Sequence, residues 1–432
     1  MKILQKENII NFFIALFPAS FIAGNLIINL NIIILILLSL VFYKKEIFKF
    51  KYHLLDKLIF LFFSLILFTG FYNDIEFYIS GEFENNFNTI VKSILFLKYL
   101  LLYLIIRYLI DQNIIKIKIF YISCSILSLF VALDIFYQFI FGKDIFGFEA
   151  KRNYRRLSGP FGDELVAGGY LQRFSIFTFF IIPTFFSKNL GKFLKFIIPI
   201  IFLIFSVSIL LTGNRMPLIL FSLSFVIILL INNQLRKFFI PILVIFPIVF
   251  VLIYNSNYAV KNNYSNFVFQ LNKMIGIVVE RNFYNIPPSH LKEFAGFYDT
   301  WLMNKFIGGG IKNFRYYCHI RPNAEEYQKK CNMHPHNYYL EILTETGLAG
   351  LSIMLIIFYI VIYSFYRSEI SLKKITKNNE ICFPFFLLFL IEIFPIKSTG
   401  SFFTTGNTTY FFLILSILIS LLRKQNIIEN KL

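Results

Sequence analysis

Charged residues are scarce in this 432-residue chain: Asp, Glu, Lys and Arg make up 15% of it, whereas 57% of the residues are hydrophobic. The mean hydropathy is +0.68, and the apolar residues come in long blocks. A soluble core could not bury that much apolar surface. The scarcity of charge therefore excludes a soluble globular protein and predicts a polytopic membrane protein.

Acidic residues are the scarcer of the two charged classes, 24 against 42 basic ones, and the net charge is +18. An excess of this kind can indicate nucleic-acid binding, but the cations lie mainly in short loops between the apolar blocks, as membrane topology would place them. We therefore expect membrane lipids, and no nucleic acid, among the partners.

Several enzyme signatures are absent. The chain has neither a GxxxxGKS/T loop nor a Ser nucleophile elbow, so nothing indicates nucleotide hydrolysis or a serine hydrolase. It also lacks HExxH and CxxC spacings, and His334 and His336, which flank Pro335, would point apart on an extended chain. We therefore expect no metal and no cofactor.

Each apolar block is near the ~20 residues that a hydrocarbon core requires. The first two blocks are interpreted as a retained helical hairpin rather than a signal peptide, because no convincing small-residue cleavage site separates them. About twelve transmembrane helices are predicted, at residues 9–23, 26–43, 58–72, 91–110, 119–141, 165–186, 196–212, 217–232, 239–254, 345–366, 381–396 and 408–422.

The predicted fold class is all-α: a polytopic membrane helical bundle with a helical loop domain on its outer side. Residues 1–254 would form transmembrane helices 1–9, residues 255–337 the loop domain, and residues 338–432 transmembrane helices 10–12 and an inner tail. Lys and Arg in alternate loops place both termini inside. In the loop domain, residues 287–314 show helical spacing before Gly308-Gly309-Gly310, which predicts a surface helix and a flexible turn.

The four cysteines fall into two pairs. Cys124 and Cys382 lie inside apolar blocks, where buried free thiols are expected. Cys318 and Cys331 lie close together in the outer loop domain, where oxidation is permitted. We expect a disulfide between them, with two free thiols or an isolated metal pair as the alternatives.

Two groups of cations break the charge rule on the outer side. One is the cluster Lys151, Arg152, Arg155 and Arg156, and the other is Arg215 in the tight turn Gly213-Asn214-Arg215. They could contact lipid headgroups or compensate Asp163 and Glu164, or they could form a pocket for an anionic ligand, since Arg presents a planar fork that suits phosphate oxygens. The glycines of RLSGPFGDELVAGGYLQ would permit close ligand approach. Asp134 and Arg173, inside apolar blocks, are weaker candidates.

Residues 333–350, MHPHNYYLEILTETGLAG, end the longest polar stretch and lead into an apolar helix, so His336, Asn337 and Glu341 would lie where water meets the membrane. A histidine and an arginine on the outer face suit proton abstraction from a hydroxyl and neutralisation of a phosphate leaving group. His336 would be the base and Arg215, helped by Arg155 or Arg156, the phosphate ligand. Asn337 and Glu341 would orient the histidine or a sugar hydroxyl. The alternative is that His336 merely caps the helix.

Several stretches together resemble one family. His336-Asn337 followed by Gly347-Leu348-Ala349-Gly350 is similar to the His-Asn … Gly-x-x-Gly signature of the bacterial O-antigen ligase and polymerase family, and TGNRMPL around Arg215 is similar to its short arginine turn. Further similar stretches are RLSGPFG, GGGIKNFR and SFFTTGN, so the resemblance extends from about residue 155 onward. Leu351-Ser352 stand where the best-known ligases carry Thr-Arg, which leaves ligase and polymerase open.

The resemblance implies a metal-independent glycosyltransferase in the bacterial inner membrane, with its active site facing the periplasm. It would move a glycan from an undecaprenyl-pyrophosphate-linked donor to an acceptor hydroxyl of lipid A-core, as an O-antigen ligase, of a growing glycan, as a polymerase, or of a protein, as an O-oligosaccharyltransferase. The loop domain would be periplasmic. His336 and Arg215 match the family's essential histidine and arginine. Substrate contacts would come, by position on the same face, from Arg155, Arg156, Asn214, His290, Arg315, Asn337 and Glu341.

A transporter or flippase for lipid-linked saccharides is the rival class, since many spans and an arginine-lined cleft would serve transport too. Such a protein should have related halves with broken helices near the midplane, and the sequence shows no clear internal repeat. A non-enzymatic scaffold would not need His336 beside basic residues. The clustering of functional groups on one face favours an enzyme.

Overall fold

The computed structural model describes residues 3–79, 88–150, 156–185, 191–231, 236, 240–280, 289–321, 331, 335–371, 377–397 and 400–424. Within these ranges every regular element is a helix, and there is no strand beyond an isolated bridge between Lys143 and Glu149. The all-α prediction is confirmed. The helices are α1 (Ile3–Ala23), α2 (Asn25–Tyr43), α3 (Leu54–Ile79), α4 (Asn88–Asp111), α5 (Ile117–Phe141), α6 (Ala167–Phe174), α7 (Ile176–Phe185), α8 (Gly191–Leu211), α9 (Arg215–Ile231), α10 (Ile242–Ser256), α11 (Tyr258–Glu280), α12 (Ser289–Trp301), α13 (Phe314–Ile320), α14 (Tyr338–Ser371), α15 (Lys377–Glu392) and α16 (Thr405–Lys424).

Seven helices of the described residues are long and apolar enough to cross a membrane. Helices α10 and α11 are bent by 109° relative to each other, and they add an eighth span if the pair is counted as one. The helices of a multi-pass membrane protein are thus present, and among the described residues each of the twelve predicted blocks is mostly helical. Several are short, however: α8 and α9 have apolar runs of 10–17 residues, and block 165–186 is divided between α6 and α7. The count of twelve spans stays a prediction.

The structure divides into two compact units, each assembled from separate stretches of the chain. Unit 1 comprises Met1–Asn31, Asn113–Asn272 and Ile375–Ile391. At its centre α5 packs against α1, α6, α7 and α8. Rings on α5, α7 and α15 interlock there, with Tyr121 and Phe385 each contacting Phe177 at ring-centroid distances of 4.9 and 5.1 Å. Buried aromatic packing therefore fixes this unit's helices.

Unit 2 comprises Ile32–Gln112, Lys273–Lys374 and Glu392–Leu432. In this unit α4 packs along α3 and α16, and α14 packs against α3 and α12. Phe63 of α3 contacts Phe96 of α4 and Phe412 of α16 at 5.4 and 5.2 Å between ring centroids. A buried ion pair between Arg107 and Asp56 joins α4 to α3. The predicted boundaries at residues 254 and 337 describe membrane topology and stay a prediction.

Candidate functional site

The arginine turn of unit 1 links α8 to α9 and has a left-handed residue, Gly213 (φ +68°), directly before Asn214 and Arg215. Glycine is needed at this conformation because a side chain would collide with its own backbone. Asn214 fastens the turn by donating from Nδ2 to the carbonyl of Leu165 (3.2 Å). Arg215 then begins α9, at the positive end of the helix dipole. The local sequence thus sets a cation at a helix N-terminus.

Asn263 of α11 holds the Arg215 guanidinium in place. Its Oδ1 accepts from Arg215 Nε (3.1 Å) and Nη2 (3.0 Å), while its Nδ2 donates to the Gly213 carbonyl (2.8 Å). The Asn263 side chain is buried, and Phe267, one turn further on, lies 5.5 Å from the guanidinium. A single amide therefore ties both the turn and the arginine to α11, without cancelling the arginine's charge.

The loop that carries Arg156 is fixed by α5. Gln138 Oε1 accepts from the Gly159 N–H (2.9 Å), and Asp134 Oδ1 accepts from the Ile145 N–H (2.8 Å). Asp134, which the sequence offered as a weak site candidate, thus holds the backbone of Ile145. Arg156 is half-buried at the start of the described stretch, and Arg155 lies outside the described residues.

The histidine turn of unit 2 precedes α14. His336 is half-buried and left-handed (φ +54°), a conformation that non-glycine residues adopt at a cost. Asn337 caps the helix: its Oδ1 accepts from the N–H groups of Tyr339 (3.0 Å) and Leu340 (3.2 Å). The capping function that the sequence left open for His336 is thus performed by Asn337.

The beginning of α14 is bonded to the connection between α15 and α16. Asn337 Nδ2 donates to the Pro395 carbonyl (2.8 Å), and Tyr339 Oη donates to the Ile393 carbonyl. The hydroxyl of Tyr338 donates to Glu392 (2.6 Å) and accepts from Lys397 Nζ (3.3 Å). Glu392 and Lys397 also form a buried ion pair of 2.6 Å. The three residues after His336 are therefore all held by one segment.

Two buried carboxyl groups follow on α14, four residues apart. Glu341 accepts hydrogen bonds from the Ser401 hydroxyl and the Phe402 N–H, so it fastens α14 to the start of α16. Glu345 is also buried, and one of its oxygens, Oε2, has no hydrogen-bond partner among the residues that the structure describes. Glu341, predicted to orient the histidine or a sugar, is directed in this structure to Ser401 and Phe402.

Helix α14 is interrupted at Gly347, whose backbone is left-handed and non-helical (φ +67°, ψ −172°). An added Cβ there would lie 2.2 Å from the Phe306 carbonyl oxygen, so only glycine fits. The backbone around the break pairs with the glycine turn before α13: Gly309 N–H to Thr344 O (3.0 Å), Gly310 N–H to Glu345 O (2.9 Å), Leu348 N–H to Lys305 O (2.9 Å) and Ala349 N–H to Phe306 O (3.1 Å). The turn predicted to be flexible is thus bonded to α14.

The predicted surface helix of the outer segment is α12, and α13 follows the glycine turn. Cys318 of α13 forms a disulfide with Cys331. Phe297 of α12 stacks on Phe314 of α13 at 3.5 Å between centroids. The guanidinium of Arg321 donates to the Cys318 carbonyl (2.8 Å), and burial lowers the pKa of Arg321 from its usual value, an effect that Asp299 opposes. These contacts make the segment a small packed structure.

The remaining predicted site residues lie in this segment. Arg315 is exposed in the first turn of α13. His290 lies in the first turn of α12, and its side chain is outside what the structure describes. Arg215 and Asn214 belong to unit 1, whereas His336, Asn337 and Glu341 belong to unit 2. Among the described residues, no group of three or more His, Cys, Asp or Glu is arranged to hold a metal ion.

Sequence reasoning missed Asn263, Glu392 and Lys397. Glu392 interrupts an apolar block, and an ionisable residue in such a place usually has a function, so this signal was available. Lys397 stands on the predicted outer side against the charge rule and carried the same kind of signal. Asn263 lies in an Asn-rich amphipathic helix, where nothing in the sequence distinguishes it from its neighbours.

Comparison with known proteins gave two findings. Residues 200–355 match the model of the family described as O-antigen ligase. Comparison with curated proteins gave no match. The matched stretch includes Arg215, Asn263 and the whole turn from His336 to Gly350, whereas Arg155, Arg156 and the segment 392–402 lie outside it. Over residues 200–355 the chain is therefore similar to the O-antigen ligase family, a likeness that supports a membrane glycosyltransferase of the ligase or polymerase type.

Proposed function

We propose that the protein is an inner-membrane glycosyltransferase that moves a glycan from undecaprenyl pyrophosphate to an acceptor hydroxyl on the periplasmic face, as an O-antigen ligase whose acceptor is lipid A-core. The observation that carries the proposal is the pair of turns within the matched stretch 200–355. In one turn Arg215 begins a helix two residues after the left-handed Gly213, and in the other the left-handed His336 comes two residues before a helix.

The reaction needs only a base and an anion site. His336 accepts the proton of the acceptor hydroxyl, and the acceptor oxygen forms a bond to the anomeric carbon of the glycan. The bond from that carbon to the pyrophosphate oxygen breaks, and undecaprenyl pyrophosphate leaves with the electron pair. Arg215 holds the leaving phosphates with its planar fork, at the positive end of α9. Arg155 and Arg156 add positive charge, and no metal or cofactor takes part.

Support for Arg215 comes from its surroundings. Asn263 and Gln270 contact the guanidinium through side-chain oxygens, at 3.0–3.1 Å and 3.4 Å. Both are neutral amides, so these two contacts set the direction of the fork without neutralising it. Support for His336 comes from its left-handed backbone, because strained residues persist where the surrounding structure fixes them and cluster at functional sites.

The test is glycan transfer by purified variants with a lipid-linked donor and a lipid A-core acceptor. We expect His336→Ala and Arg215→Ala to reach normal membrane levels and to lose transfer, by about 10²–10⁴-fold for the base. Arg215→Lys should also be poor, because an ammonium lacks the fork. His319→Ala, on an exposed histidine of α13, and Arg236→Ala are matched controls that should transfer normally. Unaltered transfer by His336→Ala, without added metal, would refute the base assignment.

A polymerase, or a protein O-oligosaccharyltransferase, would use the same donor and the same residues, so the acceptor needs its own experiment. A lipopolysaccharide gel of a deletion strain separates the activities. Loss of the whole O-antigen ladder indicates a ligase, whereas a remaining single-repeat band indicates a polymerase. An unchanged ladder with loss of a glycosylated protein indicates protein glycosylation, and movement of the lipid-linked glycan across vesicles without transfer indicates a flippase.

A further inference from the structure

The segment from Glu392 to Lys397 is bonded to the residues directly after His336. The proposed function assigns no role to these bonds. Asn337, Tyr338 and Tyr339 each bond to it, the first and third through backbone carbonyls and the second through charged side chains. These bonds join residues 54–59 positions apart in the chain. The first turn of α14 is therefore attached by several hydrogen bonds to a segment that is distant in sequence.

The centre of this attachment is a buried ion pair. The side chains of Lys397 and Glu392 are 4% and 2% exposed, and Nζ lies 2.6 Å from Oε1. The Tyr338 hydroxyl bonds to both partners, and Lys397 Nζ lies 4.4 Å from the centroid of the Tyr338 ring. Two charges taken out of water are stabilised only where geometry and further hydrogen bonds are good, so a pair of this kind fixes the groups that it contacts. Here it fixes the second residue after His336.

His336 itself has the backbone that needs such support. A left-handed residue other than glycine is held in place by its surroundings, and the residues that follow His336 are held by the cap of Asn337 and by the segment 392–397. A general base must be held in reach of its proton, and an error of about 1 Å in such a site can lower the rate about 10²-fold.

We propose that Glu392 and Lys397 are positioning residues: their ion pair, through Tyr338, fixes the turn that sets the direction of the His336 imidazole. The proposal rests on the proposed function, because it takes His336 as the base. It adds two residues outside the matched stretch 200–355 to the machinery of the reaction.

The test compares Glu392→Met, Lys397→Met and the double variant in the purified full-length protein. Each single variant removes one partner of the buried ion pair, so melting temperature and kcat should both fall. In the double variant neither charge of the pair remains, so the melting temperature should recover, as it does when buried pairs are replaced together by apolar residues. The kcat should stay about 10²-fold low, with little change in KM, because Tyr338 is no longer held. Recovery of kcat together with stability, at an unchanged labelling rate of His336, would reduce the pair to a structural one and overturn the proposal.

A matched control is a further ion pair of this unit that lies away from α14, Arg423 with Asp111 (3.2 Å). Arg423 lies at the end of α16 opposite to Ser401 and Phe402, about 30 Å away by helix length. Arg423→Gln and Asp111→Asn should lower the melting temperature and leave kcat and the pH profile of transfer unchanged. An equal effect of the control pair on kcat would also overturn the proposal.

A readout that does not use activity separates this proposal from the proposed function. Diethyl pyrocarbonate labels accessible imidazoles, and tandem mass spectrometry can compare the labelling rate of His336 with that of the exposed His319 in the same molecule. The double variant should change the rate at His336 and not at His319. Equal rates in the wild type and the double variant overturn the positioning, whatever the transfer rate. Changed labelling with normal transfer supports the positioning and refutes the base assignment instead.

Discussion

The arginine turn and the histidine turn solve the same problem in different ways. In unit 1 the left-handed position is taken by Gly213, and Arg215 comes two residues later, held by the amide of Asn263. In unit 2 the left-handed residue is His336 itself, and it is followed by a helix cap and a buried ion pair. The arginine turn is held mainly by the side chain of Asn263. The histidine turn is held by its own backbone geometry and by contacts with a distant segment. Substitutions should therefore affect them differently.

The largest expected effect concerns the side of the membrane on which both turns lie. The Lys and Arg distribution predicts that a reporter active only in the periplasm is active when fused near Asn263 and silent when fused after Lys374 or Lys424. The difference should be all or none in whole cells. The opposite pattern would put both turns on the cytoplasmic side, and the periplasmic reaction proposed for them would then be wrong.

The next effect is on the backbone of unit 2. Gly347→Ala puts a Cβ at a left-handed position 2.2 Å from the Phe306 carbonyl oxygen. The left-handed position alone costs about 1–3 kcal/mol, and the contact with backbone adds to it. We expect a much lower yield of folded protein and a lower melting temperature. Gly169→Ala on helix α6 is the control, since nothing lies within 4 Å of its added Cβ. A drop of similar size in the melting temperature of this variant would show that the effect is not specific to the break in α14.

A smaller effect should follow reduction of the disulfide between Cys318 and Cys331, 13 residues apart. A covalent closure of a loop this short stabilises by about 3 kcal/mol. We expect the reductant to lower the melting temperature of the wild type and to leave a Cys318→Ser/Cys331→Ser variant unchanged. A digest in which both cysteines are alkylated without prior reduction would exclude the bond.

The smallest effect is expected at the arginine turn. Asn263→Ala removes the acceptor of two Arg215 bonds and the donor to Gly213. Leaving such buried groups unpaired costs about 1–3 kcal/mol, so transfer should fall roughly tenfold to a hundredfold, mainly through KM for the donor. Asn266→Ala, on an exposed residue of the same helix, is the control. Normal donor KM in Asn263→Ala would show that Arg215 does not depend on Asn263.

The helices were the part of the fold that sequence reasoning found most easily. Blocks such as 26–43 and 408–422 are apolar over a full span, and a segment of that kind must satisfy its backbone as a helix in lipid. The blocks 165–186 and 196–212 were found as well, but not the break at Ser175 or the short apolar run of α8. The turns were found from their residue types, because Arg215 and His336 stand where topology alone gives them no reason to be.

The sequence by itself therefore determined that this protein is an all-helical membrane protein, since composition and spacing follow from the solvent around each segment, and it predicted the two turns to which we assign the reaction. Only the tertiary structure decided how the turns are held. Asn263 bonds to a residue 48 positions away, and Lys397 bonds to one 59 positions away. Contacts of that separation depend on which helices pack together, and the break at Gly347 is stabilised by a turn that comes earlier in the chain. No local pattern records these pairings, because each side chain is ordinary until its partner is brought beside it.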